Sequence, residues 1–152
     1  MTSESIYPLD ESDWRLLVAL QEQARLSYTE LGRRVGLSAP AVTERMRKLE
    51  DAGIIAGYHA ELNLAKAGLP ITAYMRMSTP REESPRVAER LRDVAEVLEC
   101  ARVAGPDSFI IKVGVASIPH LEALIDRLAQ YGQSSTSIVL STPVPRRIVE
   151  PR

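Results

Sequence analysis

Cysteine, aromatic residues and long apolar runs are scarce in this chain of 152 residues, and each scarcity excludes a class of protein. The single cysteine rules out a disulfide within the chain and a cysteine-based zinc cluster. No apolar run approaches the ~18–20 residues that span a bilayer, and Met1–Asp10 lacks the layout of a secretory signal. With 45% hydrophobic and 26% charged residues, the composition is typical of a globular protein, which we expect to be cytoplasmic and without a membrane partner.

The sequence also lacks the residue groupings that catalysis and metal binding require. His59 and His120 are isolated, and we expect structural roles for both. Cys100 lies in a predicted strand, where a lone cysteine usually acts as a small buried apolar group. There is no glycine-rich phosphate loop, no carboxylate pair with a base and no Ser/His/Asp arrangement. We therefore expect neither an enzyme nor a bound metal or cofactor.

The first 60 residues have the apolar spacing and the capping residues of short helices. Asp10 or Asp13 caps a first helix, and its predicted inner face comprises Trp14, Leu17, Val18 and Leu20. Ser27 and Glu30 form a capping box for a second helix that ends at Gly36. Ser38 caps a third helix, which tolerates Pro40 in its first turn and ends before Gly53. Its predicted inner residues are Val42, Met46 and Leu49.

The segment after the third helix predicts a wing, and the rest of the chain alternates strands and helices. Ile54–Ala60 is predicted as a short strand with a glycine turn. The later predicted strands are Ile71–Ser78, Val97–Val103, Phe109–Val115 and Ser135–Leu140. One helix begins at Ser84-Pro85 and the other at Ser117. Their predicted inner residues are Val87, Leu91, Val94 and Ala95, then Leu121, Leu124, Ile125 and Leu128. The order βαββαβ indicates a ferredoxin-like α+β sandwich.

These patterns together predict two domains joined by a linker. We expect a winged helix-turn-helix domain over residues 1–62, a linker over 63–70 and a βαββαβ domain over 71–152. Both domains are small for independent stability, which favours self-association.

Charge is distributed unevenly in the predicted helix-turn-helix, although the whole chain carries a net charge of only −1. Residues 1–24 carry one arginine against five acidic residues, a net of −4. Residues 27–48 carry five basic residues against two acidic ones, a net of +3. The basic charge therefore lies on the two helices flanking Gly36-Leu37, the second of which would enter a DNA major groove. Alternatively, the charges only solvate a helical bundle.

Specific DNA contacts follow from the predicted outer face of the third helix. Arg47 suits a bidentate contact to guanine, and Thr43 suits a thymine methyl group. Ala39 and Pro40 also lie outward, and Arg45 lies at the flank. Phosphate contacts, which position the protein without reading sequence, are predicted for Tyr28, Arg33, Arg34, Ser38 and Lys48.

The chain resembles the Lrp/AsnC (leucine-responsive, or feast/famine) transcriptional regulators over nearly its whole length, most specifically from Val35 to Tyr58. The matching residues are Leu9-Asp10, Asp13, Leu16-Leu17, Leu20, Arg25, Leu31, Val35-Gly36-Leu37-Ser38, Val42, Arg45, Leu49-Glu50, Gly53-Ile54-Ile55 and Gly57-Tyr58. The resemblance implies a sequence-specific regulator of transcription that binds double-stranded DNA. It also implies a homodimer, or a tetramer or octamer of dimers, and a small effector, usually an amino acid.

The resemblance also implies an effector site. Family members carry Gly-x-x-Asp-Tyr between two strands. The corresponding residues here are Gly105, Pro106, Asp107, Ser108 and Phe109, with Ser108 in place of Asp and Phe109 in place of Tyr. The glycine turn offers backbone N–H groups to a carboxylate, and Asp107 suits an ammonium group. A second wall resembling the family's last strand comprises Ser134, Ser135, Thr136 and Ser137. Both segments also suit a simple turn and an edge strand without a ligand.

Two other functions are compatible with parts of the sequence. One is an effector-independent architectural DNA-binding protein, and the other is an amino-acid-sensing module on a helical adaptor.

The proline-punctuated tail, Pro143–Arg152, has a net charge of +2. It suits an edge strand, an arm to a neighbouring subunit or a flexible end near DNA.

Overall fold

The computed structural model describes residues 7–151 and divides the chain into two compact units. The first unit holds the chain up to Ala60 together with the segment from Val144, and the second runs from Glu61 to Pro143. The helices of the described chain are α1 Glu11–Glu22, α2 Tyr28–Val35, α3 Ala39–Asp51, α4 Ser84–Arg92 and α5 Ile118–Leu128, with a 3₁₀ turn at Ala129–Tyr131. The strands are β1 Ile71–Ser78, β2 Val97–Arg102, β3 Phe109–Val115 and β4 Gln133–Ile138. Within the described chain no helix combines the length and apolarity needed to cross a membrane.

The caps predicted for the first three helices are confirmed. The Asp10 carboxylate accepts from the Asp13 N–H at 2.8 Å, and Asp13 accepts in return from the Asp10 N–H at 3.1 Å. Ser27 and Glu30 form the same reciprocal arrangement at the start of α2. The Ser38 hydroxyl caps α3. Each cap satisfies backbone N–H groups that the first turn leaves without helical partners.

The predicted inner face of α1 is partly wrong. Leu16, Ala19 and Leu20 are buried, whereas Trp14, Leu17 and Val18 are only half-buried. The error has a physical cause, because residues 16–20 form a continuous apolar run that does not define a helical phase. The buried residues of α2 and α3 complete the core of this unit.

The strand predicted over Ile54–Ala60 is also wrong, and the segment runs as a loop after α3. A lone strand leaves its backbone groups unpaired, and the described part of the first unit contains no strand to pair with it. The helix-turn-helix of the described chain therefore has no β-wing. The loop is bound to α3, since the Tyr58 hydroxyl donates to Glu50 Oε1 at 2.8 Å.

The second unit confirms the βαββαβ order. Its four antiparallel strands lie in the order β2-β3-β1-β4. Side chains from α4 and α5 share one buried core with the alternate residues of β1 and β3. The helices therefore cover one face of the sheet, as a ferredoxin-like sandwich requires.

Three details of this unit differ from prediction. Ala95 is exposed because α4 ends at Arg92. Strand β4 begins two residues early, since Gln133 already pairs with Ser78. Cys100 is exposed rather than buried, because it lies on the edge strand β2 beside a groove that also contacts Leu91, Arg92 and Phe109.

Candidate nucleic-acid interface and effector site

The turn between α2 and α3 depends on two glycines. Gly36 follows α2 with φ +76°, a left-handed conformation that suits glycine. A Cβ atom on Gly32 would lie 2.4 Å from the Leu37 carbonyl oxygen. The Leu37 N–H also donates to the Gly32 carbonyl at 2.8 Å. Of the two, only Gly36 is predicted from the sequence. Gly32 could have been recognised because a glycine inside a helix is unfavourable and often has a packing reason.

Helix α3 buries the residues predicted to lie inward and exposes most of those predicted to lie outward. Val42, Met46 and Leu49 are buried. Pro40, Thr43, Glu44, Arg47 and Lys48 are exposed, and Ala39 is half-buried. The Thr43 hydroxyl donates to the Ala39 carbonyl at 2.9 Å, which leaves the methyl group as its outward contact. Among the described residues of its own unit, nothing buries the outer face of α3.

The basic side chains on this face form exposed ion pairs with neighbouring carboxylates. Lys48 Nζ lies 2.7 Å from Glu44 Oε1, and Arg47 lies 3.4 Å from Asp51. Lys48 lowers the pKa of Glu44, chiefly through this hydrogen bond, and Glu44 raises the pKa of Lys48. Exposed pairs of this kind contribute little to stability. A DNA phosphate or base can therefore replace the carboxylate partners at low energetic cost.

Arg45, predicted to lie at the flank of the DNA-contacting face, has a different environment. Its guanidinium donates to Asp10 at 2.7 Å and to Asp13 at 2.8 Å. The Asp13 side chain is only 2% exposed, so its carboxylate depends on these partners. The backbone N–H of Asp13 and then Arg45 lower the pKa of Asp10. Arg45 therefore fastens α3 to the start of α1.

The predicted phosphate contacts have mixed surroundings. Arg34 forms an ion pair with Glu22 in which both side chains are substantially exposed. Tyr28 and Arg33 are exposed on α2. The exposed Ser38 uses its hydroxyl to cap α3, accepting from the Ala41 N–H at 3.4 Å.

The two predicted walls of the effector site lie on either side of one strand end. Met77 on β1 pairs with Phe109 of β3 on one side and with Ser134 of β4 on the other. The loop before β3 is anchored there, since Ser108 Oγ accepts from the Thr79 N–H and donates to the Thr79 carbonyl, each at 3.1 Å. Sheet register therefore brings two segments distant in sequence to the end of β1.

Several residues of this site face other ways than predicted. Phe109 is 1% exposed and belongs to the core, and an effector contact at this position stays a prediction. Ser134 and Thr136 lie opposite the buried Met77 and Met75, whereas Ser135 and Ser137 lie opposite Arg76 and Tyr74. Successive strand residues point to opposite faces, so the four hydroxyls cannot form one wall. Ser135 accepts a hydrogen bond from Arg76 at 3.3 Å.

The remaining candidates lie in the loop before β3, and the same strand end carries an unpaired hydroxyl on Thr79. Gly105 has φ +138°, and Gly105 and Pro106 are exposed, while Asp107 is half-buried. Thr79 is 8% exposed, and its hydroxyl has no hydrogen-bond partner within the described residues. Gly132 lies against the same strand end, since a Cβ atom there would lie 2.2 Å from the Ser78 carbonyl oxygen. Neither Thr79 nor Gly132 could be predicted from the sequence, because their proximity depends on strand pairing.

His120 contributes to a structural ion-pair cluster in the second unit. Its Nε2 lies 3.0 Å from Glu96 Oε1, and Arg127 donates to the other Glu96 oxygen at 2.6 Å. Arg127 and then His120 lower the pKa of Glu96 to about 2. The cluster joins the turn before β2 to α5, as expected for a structural histidine.

A helix-turn-helix with an exposed basic second helix, followed by a βαββαβ unit, defines a two-domain DNA-binding protein. The AsnC-type helix-turn-helix domain matches residues 9–50, and the Lrp/AsnC ligand binding domain matches residues 72–149. The chain belongs to the Lrp/AsnC family of transcriptional regulators, and it is a regulator rather than an enzyme.

Individual relatives agree with this assignment. The HTH-type transcriptional regulator LrpC of Bacillus subtilis is 32% identical over 133 residues, 88% of this chain and 92% of LrpC. The solved structure of B. subtilis LrpC matches with a TM-score of 0.88, covering 92% of this chain and 100% of that chain. The regulator NMB0573 of Neisseria meningitidis, solved with L-methionine, is 28% identical with a TM-score of 0.86, covering 93% and 96%. Rv3291c of M. tuberculosis, also solved with L-methionine, is 31% identical with a TM-score of 0.84, covering 95% and 100%.

Proposed function

We propose that this regulator reads DNA with the outer face of α3, with Arg47 and Thr43 contacting base edges. The observation that carries the proposal is the contrast within α3: Arg45 is fastened to the buried Asp13, whereas Arg47 is 68% exposed in a loose pair. Arginine bidentate to guanine is the commonest base-specific contact. The phosphate contacts come from Tyr28, Arg33, Arg34, Ser38 and Lys48, while Ala39 and Pro40 bring the start of α3 close to the groove.

A second copy of the chain completes the DNA-binding unit in this proposal. The sheet face opposite α4 and α5 exposes large apolar side chains: Tyr74, Leu98 and Ile110, each between 38% and 44% exposed. An apolar face of this kind suits a partner surface. A two-fold dimer would present two α3 helices to half-sites about one helical turn apart, roughly 34 Å. Tetramers or octamers of dimers would engage several sites, in the cytoplasm where the DNA is accessible.

The end of β1 is the proposed effector site, and an amino acid is the proposed effector. The loop at Gly105 offers backbone N–H groups to the carboxylate, Asp107 can hold the ammonium group, and the Thr79 hydroxyl lacks a partner among residues 7–151. The methionine complexes of two relatives support this class of ligand. The effector acts only if it binds one assembly more tightly than another.

Selection of bound duplexes from random oligonucleotides tests the DNA-binding proposal. We expect a two-fold symmetric operator, bound with a steep salt dependence from phosphate contacts. Arg47→Ala should relax the selected sequence, whereas Arg86→Ala on α4 is the control and should not. Selection of no preferred sequence by the wild type would contradict the proposal.

Thermal-shift measurements against the standard amino acids test the effector proposal. We expect stabilisation by one or a few of them, accompanied by a change in operator affinity. Unchanged melting temperature and unchanged DNA affinity across the panel would favour the architectural alternative, in which the same DNA-binding surface acts without a metabolite.

A further inference from the structure

The segment that follows the effector unit returns to the helix-turn-helix unit. The chain from Val144 onward belongs to the same compact unit as residues up to Ala60. Its attachment involves α1, where the Gln21 side chain meets the backbone of Val149. The role of this tail was left open by its sequence.

Two hydrogen bonds define the attachment. Gln21 Nε2 donates to the Val149 carbonyl at 3.0 Å, and the Val149 N–H donates to Gln21 Oε1 at 2.9 Å. The Gln21 amide therefore both donates to and accepts from one residue of the tail, as a neighbouring strand would, and Nε2 also donates to the Leu17 carbonyl at 3.2 Å. This reciprocal pairing fixes the position of the tail along α1 more tightly than one contact would.

A groove beside these bonds receives the end of the tail. Its volume is about 340 Å³, and Pro151 lines it together with side chains of α1 and α2. The apolar lining residues include Trp14, Val18, Ala19 and Val35. The half-buried state of Trp14 and Val18, which contradicted the predicted inner face of α1, is explained by this groove.

Charge favours the same docking. Residues 1–24 carry a net charge of −4, whereas residues 143–152 carry a net charge of +2. The docking is also shallow, since Ile148 is 38% and Val149 is 62% exposed. A shallow, complementary contact of this kind can open and close without unfolding the unit.

We propose that α1 and α2 form a docking groove for the chain's own C-terminal segment, residues 144–151, and that this docking straps the DNA-reading unit to the end of β4. The strap leaves β4 after Ile138, directly beyond the hydroxyl residues of the proposed effector site. The two units are therefore connected through the chain at two places, near residue 60 and near residue 143. The second connection restricts the freedom of the DNA-reading unit. The effect of this restriction on DNA binding rests on the proposed function.

The only tryptophan of the chain, Trp14, lines the groove and reports on the docking directly. Deleting residues 144–152 should shift Trp14 emission to longer wavelength and increase its quenching by acrylamide, because water enters the groove. A synthetic peptide of residues 144–152 should reverse the shift at millimolar concentration, since the covalent tail benefits from a high effective concentration. Gln21→Ala should reproduce part of the shift, whereas Gln23→Ala, at the exposed glutamine that directly follows α1, should not.

Docking is overturned if Trp14 emission is the same with and without the tail, or if the two glutamine variants behave alike. The truncated chain must retain its helix content, as measured by circular dichroism, for the comparison to count as support. The consequence is tested on DNA selected by the full chain. Deleting the tail should weaken binding to an operator with two half-sites several-fold and leave binding to one half-site unchanged.

Equal loss on both DNA molecules would overturn the strapping role, because it would place the tail in the reading surface itself. Failure of the full chain to select any DNA would instead contradict the proposed function. The fluorescence result would stand in that case, so the two failures are distinguishable.

Discussion

Arg45 and Arg47 lie two positions apart on α3 and have opposite surroundings. Arg45 holds a carboxylate that is 2% exposed, and Arg47 is 68% exposed. Helical spacing alone placed both at the predicted DNA surface, because the deciding partner, Asp13, is 32 residues away. The sequence therefore predicted the outer face of α3 but not which of its flanking charges serves the fold.

Removing each arginine should separate stability from DNA recognition. Arg45→Ala leaves the Asp13 carboxylate buried without its ion pair and should lower the free energy of unfolding by roughly 1–3 kcal/mol. Arg47→Ala should change it by less than about 0.5 kcal/mol, as for other exposed residues. Urea unfolding followed by Trp14 fluorescence checks both values. Equal destabilisation by the two variants would contradict the structural assignment of Arg45.

The Glu96 cluster predicts a pH dependence of the second unit. The folded pKa of Glu96 is about 2, below its ordinary value of 4.5, because Arg127 and His120 bind the carboxylate. The resulting stabilisation is complete above pH 4.5 and is lost as the pH falls from 4.5 towards 2. At pH 6 the free energy of unfolding of the wild type should exceed that of Glu96→Gln by roughly 1–3 kcal/mol. This gap between the two proteins should narrow as the pH falls from 4.5 towards 2.

Calorimetric unfolding across the same pH range measures this gap, and Glu122→Gln, an exposed glutamate on α5, is the control. A gap between wild type and Glu96→Gln that stays constant from pH 6 to pH 3 would show that the pKa of Glu96 is not depressed in the folded protein.

At the scale of whole elements, prediction succeeded where capping residues marked the ends of helices. Ser27, Ser38 and Ser117 begin α2, α3 and α5 as expected. It failed where the outcome depends on a partner. The segment 54–60 has strand-like residues but no neighbouring strand in the described part of its unit. The β4 hydroxyls suggested one polar wall, although strand alternation divides them between two faces.

The turn between α2 and α3 predicts unequal effects of two alanine substitutions. Gly32→Ala places a Cβ atom 2.4 Å from the Leu37 carbonyl oxygen and forces the helices apart, at a cost of about 1–3 kcal/mol. Gly36→Ala meets no atom within 4 Å and suffers only its positive φ, at about 1 kcal/mol. Chemical unfolding should show the larger loss for Gly32→Ala, and the reverse order would contradict the close approach of the two helices.

The loop before β3 predicts a selective loss of effector response. Gly105→Val places its Cβ atom in open space, with no atom within 4 Å, but the φ of +138° is strained for valine and should reshape the loop. Operator binding without effector should persist, and the change in affinity caused by any amino acid found in the thermal-shift screen should disappear. Equal loss of DNA binding and effector response would indicate misfolding or disassembly instead.

At the scale of the whole molecule, the sequence indicated a helix-turn-helix followed by a βαββαβ unit, and both are present. The tail is the part that no local pattern could place. Its proline-punctuated sequence allowed an edge strand, an arm or a free end, whereas the structure returns it to α1 through Gln21, 128 residues away. Contacts over such distances follow from the folded units and not from periodicity.

The proposed function depends on one exposed surface, the outer side of α3. Its most direct test is the ratio of dissociation constants for the selected operator and a scrambled duplex, measured at one fixed salt concentration. Loss of a bidentate arginine–guanine contact costs about 1–3 kcal/mol of discrimination, so Arg47→Ala should reduce this ratio roughly fivefold to 150-fold in a folded dimer. Arg86→Ala should leave it unchanged. An undiminished ratio in Arg47→Ala would contradict DNA reading by this face of α3.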